Sequence, residues 1–247
     1  MTTHITHRAQ ATHTGVPSYR ANAMAVGVLF IACSAATILS IVPLGAPVGT
    51  PVDFAWLAAK DDQVVLTALI EFLWAATGMG IAIGLYPVLR KFNPALALGS
   101  VAGRMVENVF ILVGALALLA ILTVSQQSAG SADPSSFQAI GEVLVAVRVW
   151  VHDFVAMIPF GIGTALYSYI LYSSRLVPRW LSGWGLVAAV MSTGAVVYAG
   201  FTQEFGFTPV TIALSVPIAF QEMVLAVWLI AKGFNQSALA SRTESQA

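Results

Sequence analysis

The amino-acid sequence predicts an all-α membrane protein, a polytopic bundle of six transmembrane helices with both termini in the cytoplasm. Hydrophobic residues make up 58% of the 247 residues, whereas charged residues make up only 9%. About a quarter of the residues in a soluble domain are charged, so these charges are too few to cover a water-facing surface. The other two observations are six apolar segments that can cross a bilayer and basic residues that fall in alternate loops.

Composition excludes several other classes of protein. The formal net charge is +0, so no basic surface for nucleic acid is expected. The single cysteine, Cys33, excludes a disulfide-stapled scaffold and a cysteine-rich metal site. No nucleotide-binding, haem or zinc motif is present, so we expect no cofactor and no metal. The expected partners are the lipid bilayer and a small solute or cation, and the oligomeric state stays open.

The apolar segments have the length of membrane helices, which need about 20 residues to cross about 30 Å of hydrocarbon. The predicted spans are residues 22–42, 63–85, 95–124, 139–172, 180–201 and 209–230. Pro43 ends the first span, and Pro87 and Pro94 lie between the second and third. Helices are expected because backbone polar groups in lipid must be satisfied within the segment, and these runs lack the alternation of barrel strands.

A polar stretch and an unusually long apolar segment lie between spans three and five. Residues 125–138 are polar and contain Gly130 and Pro134, which predicts a loop. The fourth apolar segment, 139–172, is longer than one crossing requires. It is either a tilted helix kinked at Pro159 or a helix with an interfacial first turn.

The domain organisation and orientation follow from these spans. Residues 22–232 form one transmembrane domain between two cytoplasmic disordered tails, 1–21 and 233–247. Six crossings place eight basic residues on one side: Arg8, Arg20, Arg90, Lys91, Arg175, Arg179, Lys232 and Arg242. The opposite side has only Lys60, so the excess of basic residues predicts cytoplasmic termini.

Seven ionisable residues fall inside the predicted spans and form the candidate ligand- or ion-binding site. They are Glu71, Arg104, Glu107, Arg148, His152, Asp153 and Glu222. A charge at the centre of a membrane helix costs at least about 2.5–3.5 kcal/mol. We therefore expect these side chains to turn inward, to pair with one another or to line a wet cavity.

Spacing indicates which of these residues can meet. Arg104 and Glu107 are three residues apart and can pair within one helix. Arg148 and His152 are four apart, so both face the same way and would suit a carboxylate from another helix. Glu71 on the second span is a plausible partner.

The four carboxylates outnumber the two arginines, which leaves two negative charges over. A protonated carboxyl, a protonated His152 or a bound cation would each account for this balance, and each indicates proton or cation handling. The alternative is a neutral polar core, hydrogen-bonded with Asn108 and Gln221, that only fixes the register of the helices.

Three pieces of the sequence together resemble a bacterial multi-pass membrane protein family catalogued as a domain of unknown function, number 4386. The pieces are residues 86–107 (YPVLRKFN, ALALG and RMVE), 152–181 (HD and LYSSRLVPRWL) and 221–234 (QE and WLIAKGF). The resemblance spans roughly residues 20 to 235. It implies a bundle of six or seven spans in the bacterial inner membrane, and it implies no established activity.

Three functions are compatible with this sequence. The leading hypothesis is a permease for a small solute that is coupled to a cation or proton held by the buried carboxylates. An intramembrane enzyme could instead use a buried acid to act on a lipid or isoprenoid. A membrane accessory or sensor protein would have a polar core that is only structural. Whether the protein is an enzyme is left open, and transport is favoured.

Overall fold

A computed structural model describes residues 19–45, 48, 50–129, 131, 133–206 and 208–244. Within these ranges the chain forms helices and connecting turns without strands. Six helical segments are long and apolar enough to cross a membrane. The prediction of an all-α bundle with six spans is therefore confirmed.

The helices alternate between long spans and short connecting elements. They are α1 (Arg20–Leu39), α2 (Phe54–Ala58), α3 (Asp61–Leu89), α4 (Pro94–Ala129), α5 (Gln138–Val149), α6 (Met157–Ser174), α7 (Arg179–Thr202), α8 (Pro209–Ala231) and α9 (Gln236–Glu244). A 3-10 turn, Pro134–Phe137, precedes α5, and a π-helical segment, Trp150–Val155, joins α5 to α6. The fourth span thus consists of α5, the π segment and α6.

The spans pack into a closed ring. In ring order α3 packs between α1 and α4, α6 between α4 and α7, and α8 between α7 and α1. In this arrangement α4 and α8 face each other across the middle. Polar side chains from several spans can therefore meet inside the ring without contacting lipid.

Apolar cores close the two ends of this ring. One core includes Phe30, Leu85, Leu171, Leu181 and Leu229. The other includes Leu57, Leu118, Ile121 and Val145, with α2 packed over the end of the bundle. The polar residues described below lie between the two cores.

Most lysines and arginines of the described chain lie at one end of the ring, whereas Arg104 and Arg148 lie within the spans and Lys60 lies at the other end. The Arg20 guanidinium donates to the carbonyl of Ile230 at 2.6 Å, and Arg242 Nε donates to the carbonyl of Lys91 at 2.9 Å. The Asn235 N–H donates to the carbonyl of Leu176 at 2.9 Å. These bonds join the ends of α1, α3, α6, α8 and α9, and we call this the basic end. That it faces the cytoplasm stays a prediction from the charge distribution.

The predicted loop at residues 125–138 is wrong over most of its length. Helix α4 continues to Ala129, and the 3-10 turn and the first residue of α5 account for residues 134–138. The helix can continue through this polar stretch because a polar side chain in it forms a hydrogen bond to the backbone of its own helix. Ser125 is buried and its hydroxyl donates to the carbonyl of Ile121 at 2.8 Å, so this serine needs no water.

The fourth span is irregular just before Pro159, one of the two positions considered for it. The irregularity is the π segment that precedes Met157, where the Ala156 N–H donates to the carbonyl of Val151, five residues earlier, at 2.9 Å. Pro159 lies in the first turn of α6, where a missing N–H is tolerated. A π turn of this kind inserts an extra residue into an otherwise regular helix.

The tails differ in part from the sequence prediction. Residues Gln236–Glu244, expected to be a disordered tail, form α9, and Leu239 is buried in the core at the basic end. An N-terminal tail was expected through residue 21, but α1 begins at Arg20. Residues 1–18 and 245–247 of the two predicted tails lie outside the described residues.

Candidate functional site

The seven intramembrane ionisable residues separate into two clusters, each with one arginine and two acids. The Glu71 cluster consists of Glu71 on α3, Arg148 on α5, and His152 and Asp153 on the π segment. The Glu107 cluster consists of Arg104 and Glu107 on α4 and Glu222 on α8, with the adjoining Asn108 and Gln221. The two surplus negative charges expected from the sequence are thus divided, one to each cluster.

Glu71 and Arg148 form a two-pronged ion pair between α3 and α5. The Arg148 guanidinium donates from Nη2 to Glu71 Oε1 and from Nη1 to Glu71 Oε2, the latter at 3.2 Å. Arg148 Nη1 also donates to the carbonyl of Gly114 on α4 at 2.6 Å. The Glu71 side chain is only 2% exposed. The partnership predicted for these two residues is confirmed.

His152 and Asp153 complete the Glu71 cluster at the rim of the ring, by which we mean the partly exposed outer surface of the helix bundle. The His152 ring lies edge-on to Trp74, with 5.2 Å between the centroids. Its Nδ1 is 2.9 Å from Asp153 Oδ1, and its Nε2 is 3.9 Å from Glu71 Oε1. The Asp153 side chain is 39% exposed, so this acid lies at the rim and is not turned inward as expected.

The Glu71 cluster has the character of a structural clamp. Each acid has a basic or imidazole neighbour, and the arginine bonds a carboxylate and a backbone carbonyl together. Arginine forks of this kind fix geometry as well as charge. The cluster ties α3, α4 and the fourth span to one another.

The Glu107 cluster lies inside the ring and is almost completely enclosed. Arg104 Nη1 is 3.0 Å from Glu107 Oε2, and their side chains are 3% and 2% exposed. The pairing predicted from their three-residue spacing is confirmed. The Arg104 guanidinium also lies over the Phe160 ring, 5.0 Å from its centroid. Glu222, on α8, is close enough to Arg104 and Glu107 to interact with both electrostatically.

Several enclosed polar atoms of the Glu107 cluster have no hydrogen-bond partner among the described residues. They are Arg104 Nε, Asn108 Oδ1, Gln221 Oε1 and Glu222 Oε1, and the Arg104–Glu107 ion pair itself lacks hydrogen-bond geometry. Each unsatisfied buried group costs about 1–3 kcal/mol. In a polar core that serves only structure, each polar group would have a hydrogen-bond partner. This cluster therefore has the character of a binding site.

Sequence reasoning missed further residues that surround the Glu107 cluster. The Tyr167 hydroxyl on α6 and the Cys33 thiol on α1 both lie in the field of Arg104. Ser168, next to Tyr167, is fully buried. The signal was present in the sequence, because Thr164, Tyr167 and Ser168 recur at a spacing of three and four residues, which places them on one face of α6.

A close approach of α4 and α6 sets the position of Arg104. The Ser100 hydroxyl donates to the carbonyl of Gly163 at 3.0 Å. A Cβ on Gly103 would lie 2.9 Å from the carbonyl oxygen of Pro159, closer than real Cβ atoms approach. Small residues allow such backbone contact between membrane helices. The spacing of Gly99 and Gly103 in the sequence predicts this contact.

The side chains of the Glu107 cluster that could contact an ion are of few chemical types. Within the described part of the chain, no three histidine, cysteine, aspartate or glutamate side chains lie close enough to hold a metal ion. The Glu107 cluster offers carboxylate and amide oxygens around a fixed guanidinium.

Comparison with known proteins gives one match. The family described as a domain of unknown function (DUF4386) matches residues 25–233, a range that includes five of the six spans completely, most of the first span and both clusters. No curated protein and no solved structure matches the chain. Because the family match covers most of the sequence, the chain belongs to the DUF4386 family of multi-pass membrane proteins.

Proposed function

We propose that the protein is a permease of the bacterial inner membrane that couples movement of a small solute to binding of a proton or monovalent cation at the Glu107 cluster. The observation that carries this proposal is that one guanidinium, that of Arg104, lies near two carboxylates but pairs only with Glu107, which leaves Glu222 without an ion pair among the described residues. The unpartnered polar atoms around them supply further ligands.

The charge balance of the cluster calls for one positive partner. Arg104 neutralises one of the two carboxylates, and its ion pair is with Glu107. A second negative charge in hydrocarbon is costly unless a proton or cation joins it. Arg104 is ten residues from the start of α4, about 15 Å along the helix, which is about half of the hydrocarbon thickness. With the hydrocarbon surface at Pro94, a charge bound there would lie near the bilayer midplane, where the binding sites of transporters are found.

Exchange of that charge would change the force between opposite helices. Glu107 lies on α4 and Glu222 on α8, which face each other across the ring. When Glu222 carries a proton or cation, Arg104 attracts Glu107 alone; when Glu222 is free, it competes for the guanidinium and draws α8 toward α4. Pro217 lies five residues before Glu222 inside α8 and removes one helical hydrogen bond there. Interrupted helices of this kind serve as hinges in transporters.

The proposal is tested by ion movement in liposomes. Purified protein is reconstituted with an internal pH dye or a sodium dye, and a pH or sodium gradient is applied. We expect the wild-type protein to move protons or sodium, and Glu107→Gln and Glu222→Gln to reduce the rate to that of protein-free liposomes. Glu204→Gln is the matched control, since Glu204 is an exposed carboxylate outside the ring, and it should retain the wild-type rate.

Two results would contradict the proposal. Wild-type liposomes that move neither ion would remove the evidence for transport, and unchanged rates in both cluster variants would place transport elsewhere. In the first case, lipid extracts from cells with and without the gene would show whether the protein instead modifies a lipid.

A further inference from the structure

A recess opens at the basic end of the bundle, between the α6–α7 loop and the α8–α9 connection. Its volume is about 550 Å³, and its lining includes Arg175, Arg179, Trp228, Gly233 and Asn235. Sites for small molecules range from about 300 to 1,000 Å³, so the recess has room for a polar headgroup.

Local backbone geometry builds this recess into the fold. Arg175 ends α6 with φ of 56°, and Gly233 follows α8 with φ of 72°, both left-handed conformations that turn the chain sharply. Asn235 then joins the two loops. Its backbone N–H donates to the carbonyl of Leu176 at 2.9 Å, and its side-chain amide donates to the carbonyl of Arg175 at 3.2 Å. These two hydrogen bonds hold the walls of the recess in place without a ligand.

The charge of the recess is positive and uncompensated. Arg175 and Arg179 form no ion pair with any acid in the described chain, and the Arg179 guanidinium packs over the Tyr172 ring at 5.4 Å from its centroid. Helix α7 begins at Arg179, so its N-terminal N–H groups add partial positive charge beside the arginines. An anion is the complementary ligand.

An apolar groove adjoins the recess along the outer face of α8. The groove has a volume of about 370 Å³ and is lined by Phe220, Met223, Val224, Val227 and Trp228, with Lys232 at its end. Trp228 lines both the recess and the groove, so the two are contiguous. Phe220 and Val227 are largely exposed, as residues that contact lipid chains are.

We propose that the recess and the groove together bind one anionic phospholipid, with its phosphate between Arg175 and Arg179 and one acyl chain against α8. An anionic headgroup matches the arginines, and the groove matches a hydrocarbon chain. A free phosphate would leave the groove uncovered, and a neutral headgroup would supply less charge to the arginines. This site is separate from the Glu107 cluster and does not depend on the proposed transport, although α8 contributes to both.

Native mass spectrometry of the purified protein tests this site by titration with phosphatidylglycerol and, separately, phosphatidylcholine. Basic side chains near a membrane surface each contribute about 1 kcal/mol toward anionic lipid. Because two arginines line the recess, we expect the wild-type protein to bind the first phosphatidylglycerol about 30-fold more tightly than phosphatidylcholine. Arg175→Gln combined with Arg179→Gln should abolish this preference.

Two further variants and one competitor complete the experiment. Arg90→Gln with Lys91→Gln removes the same charge from the same end, outside the recess, and should keep the preference. Val227→Trp fills the exposed groove without touching the arginines and should weaken binding of phosphatidylglycerol; it also provides the test if the arginine variant does not fold.

An equal affinity of the wild-type protein for both lipids would overturn the proposal. So would a preference that survives the arginine variant, binding that is unchanged in Val227→Trp, or full displacement of the lipid by inorganic phosphate.

Discussion

Two intramembrane glutamates, the buried Glu71 and the partly buried Glu222, differ in what surrounds them. The Glu71 carboxylate is held by both arms of the Arg148 guanidinium, which also bonds the carbonyl of Gly114. Glu222 has no salt bridge among the described residues, and its Oε1 is enclosed without a partner. A satisfied acid stabilises a structure, whereas an unsatisfied one is available for a ligand. This difference favours a structural role for Glu71, and it is the reason for proposing a ligand at Glu222.

Removing one partner of the Glu71–Arg148 pair should destabilise the protein. Glu71→Gln leaves the Arg148 charge without its carboxylate, and broken buried pairs cost about 3–5 kcal/mol. Unfolding in detergent, followed by circular dichroism, should show a loss of about 3 kcal/mol for Glu71→Gln. The double variant Glu71→Gln with Arg148→Met should recover part of that loss. Equal stability of Glu71→Gln and the wild-type protein would contradict the structural role.

The sequence predicts contacts between residues on regular helices, but not those that depend on an irregular turn. Arg104–Glu107 follows from a three-residue spacing on a regular helix, and the structure contains that pair. Asp153 was expected to face inward because a charge that faces lipid is costly. It lies instead on a π segment, which widens the helix and places its side chain at the rim next to His152. No residue pattern in the sequence marks that extra residue.

At the scale of elements, the contact between α4 and α6 controls the position of Arg104. Gly103→Ala would place a methyl group against the Pro159 carbonyl and push the two helices apart. We expect the thermal midpoint to fall, whereas Gly194→Ala should be neutral or stabilising, because Gly194 has open space around it and alanine favours helix by about 1 kcal/mol. Equal midpoints for the two variants would show that the close approach is absent.

The lengths of apolar segments predict the spans, because each span must cover the hydrocarbon with its own residues. Elements that are stabilised by distant contacts have no such signal. Helix α9 is polar in sequence, yet Leu239 packs into the core and Arg242 bonds the carbonyl of Lys91, 151 residues away. Helix α2 is short, and it packs against α4 through Leu57, which is buried with Leu118 and Ile121. Only the folded chain brings these partners together.

At the scale of the whole molecule, the ring gives the two ends opposite roles. Its basic end joins five helix termini, and the excess of basic residues predicts that this end is cytoplasmic. Cys33 is the single cysteine and is buried, so a Cys33→Ala background allows new cysteines to report their side. In intact cells an impermeant maleimide should label Asp62→Cys and leave Ser241→Cys unlabelled. The reverse labelling would invert the orientation.

The central claim is that the Glu107 cluster binds the transported charge while the Glu71 cluster only holds the ring together. The most direct test is ion flux in liposomes per folded molecule, compared between Glu222→Gln and the double variant Glu71→Gln with Arg148→Met. We expect Glu222→Gln to fold and lose flux, and the double variant to retain flux with a lower thermal midpoint. A folded Glu222→Gln protein with wild-type flux, together with a double variant that has lost flux, would contradict the account.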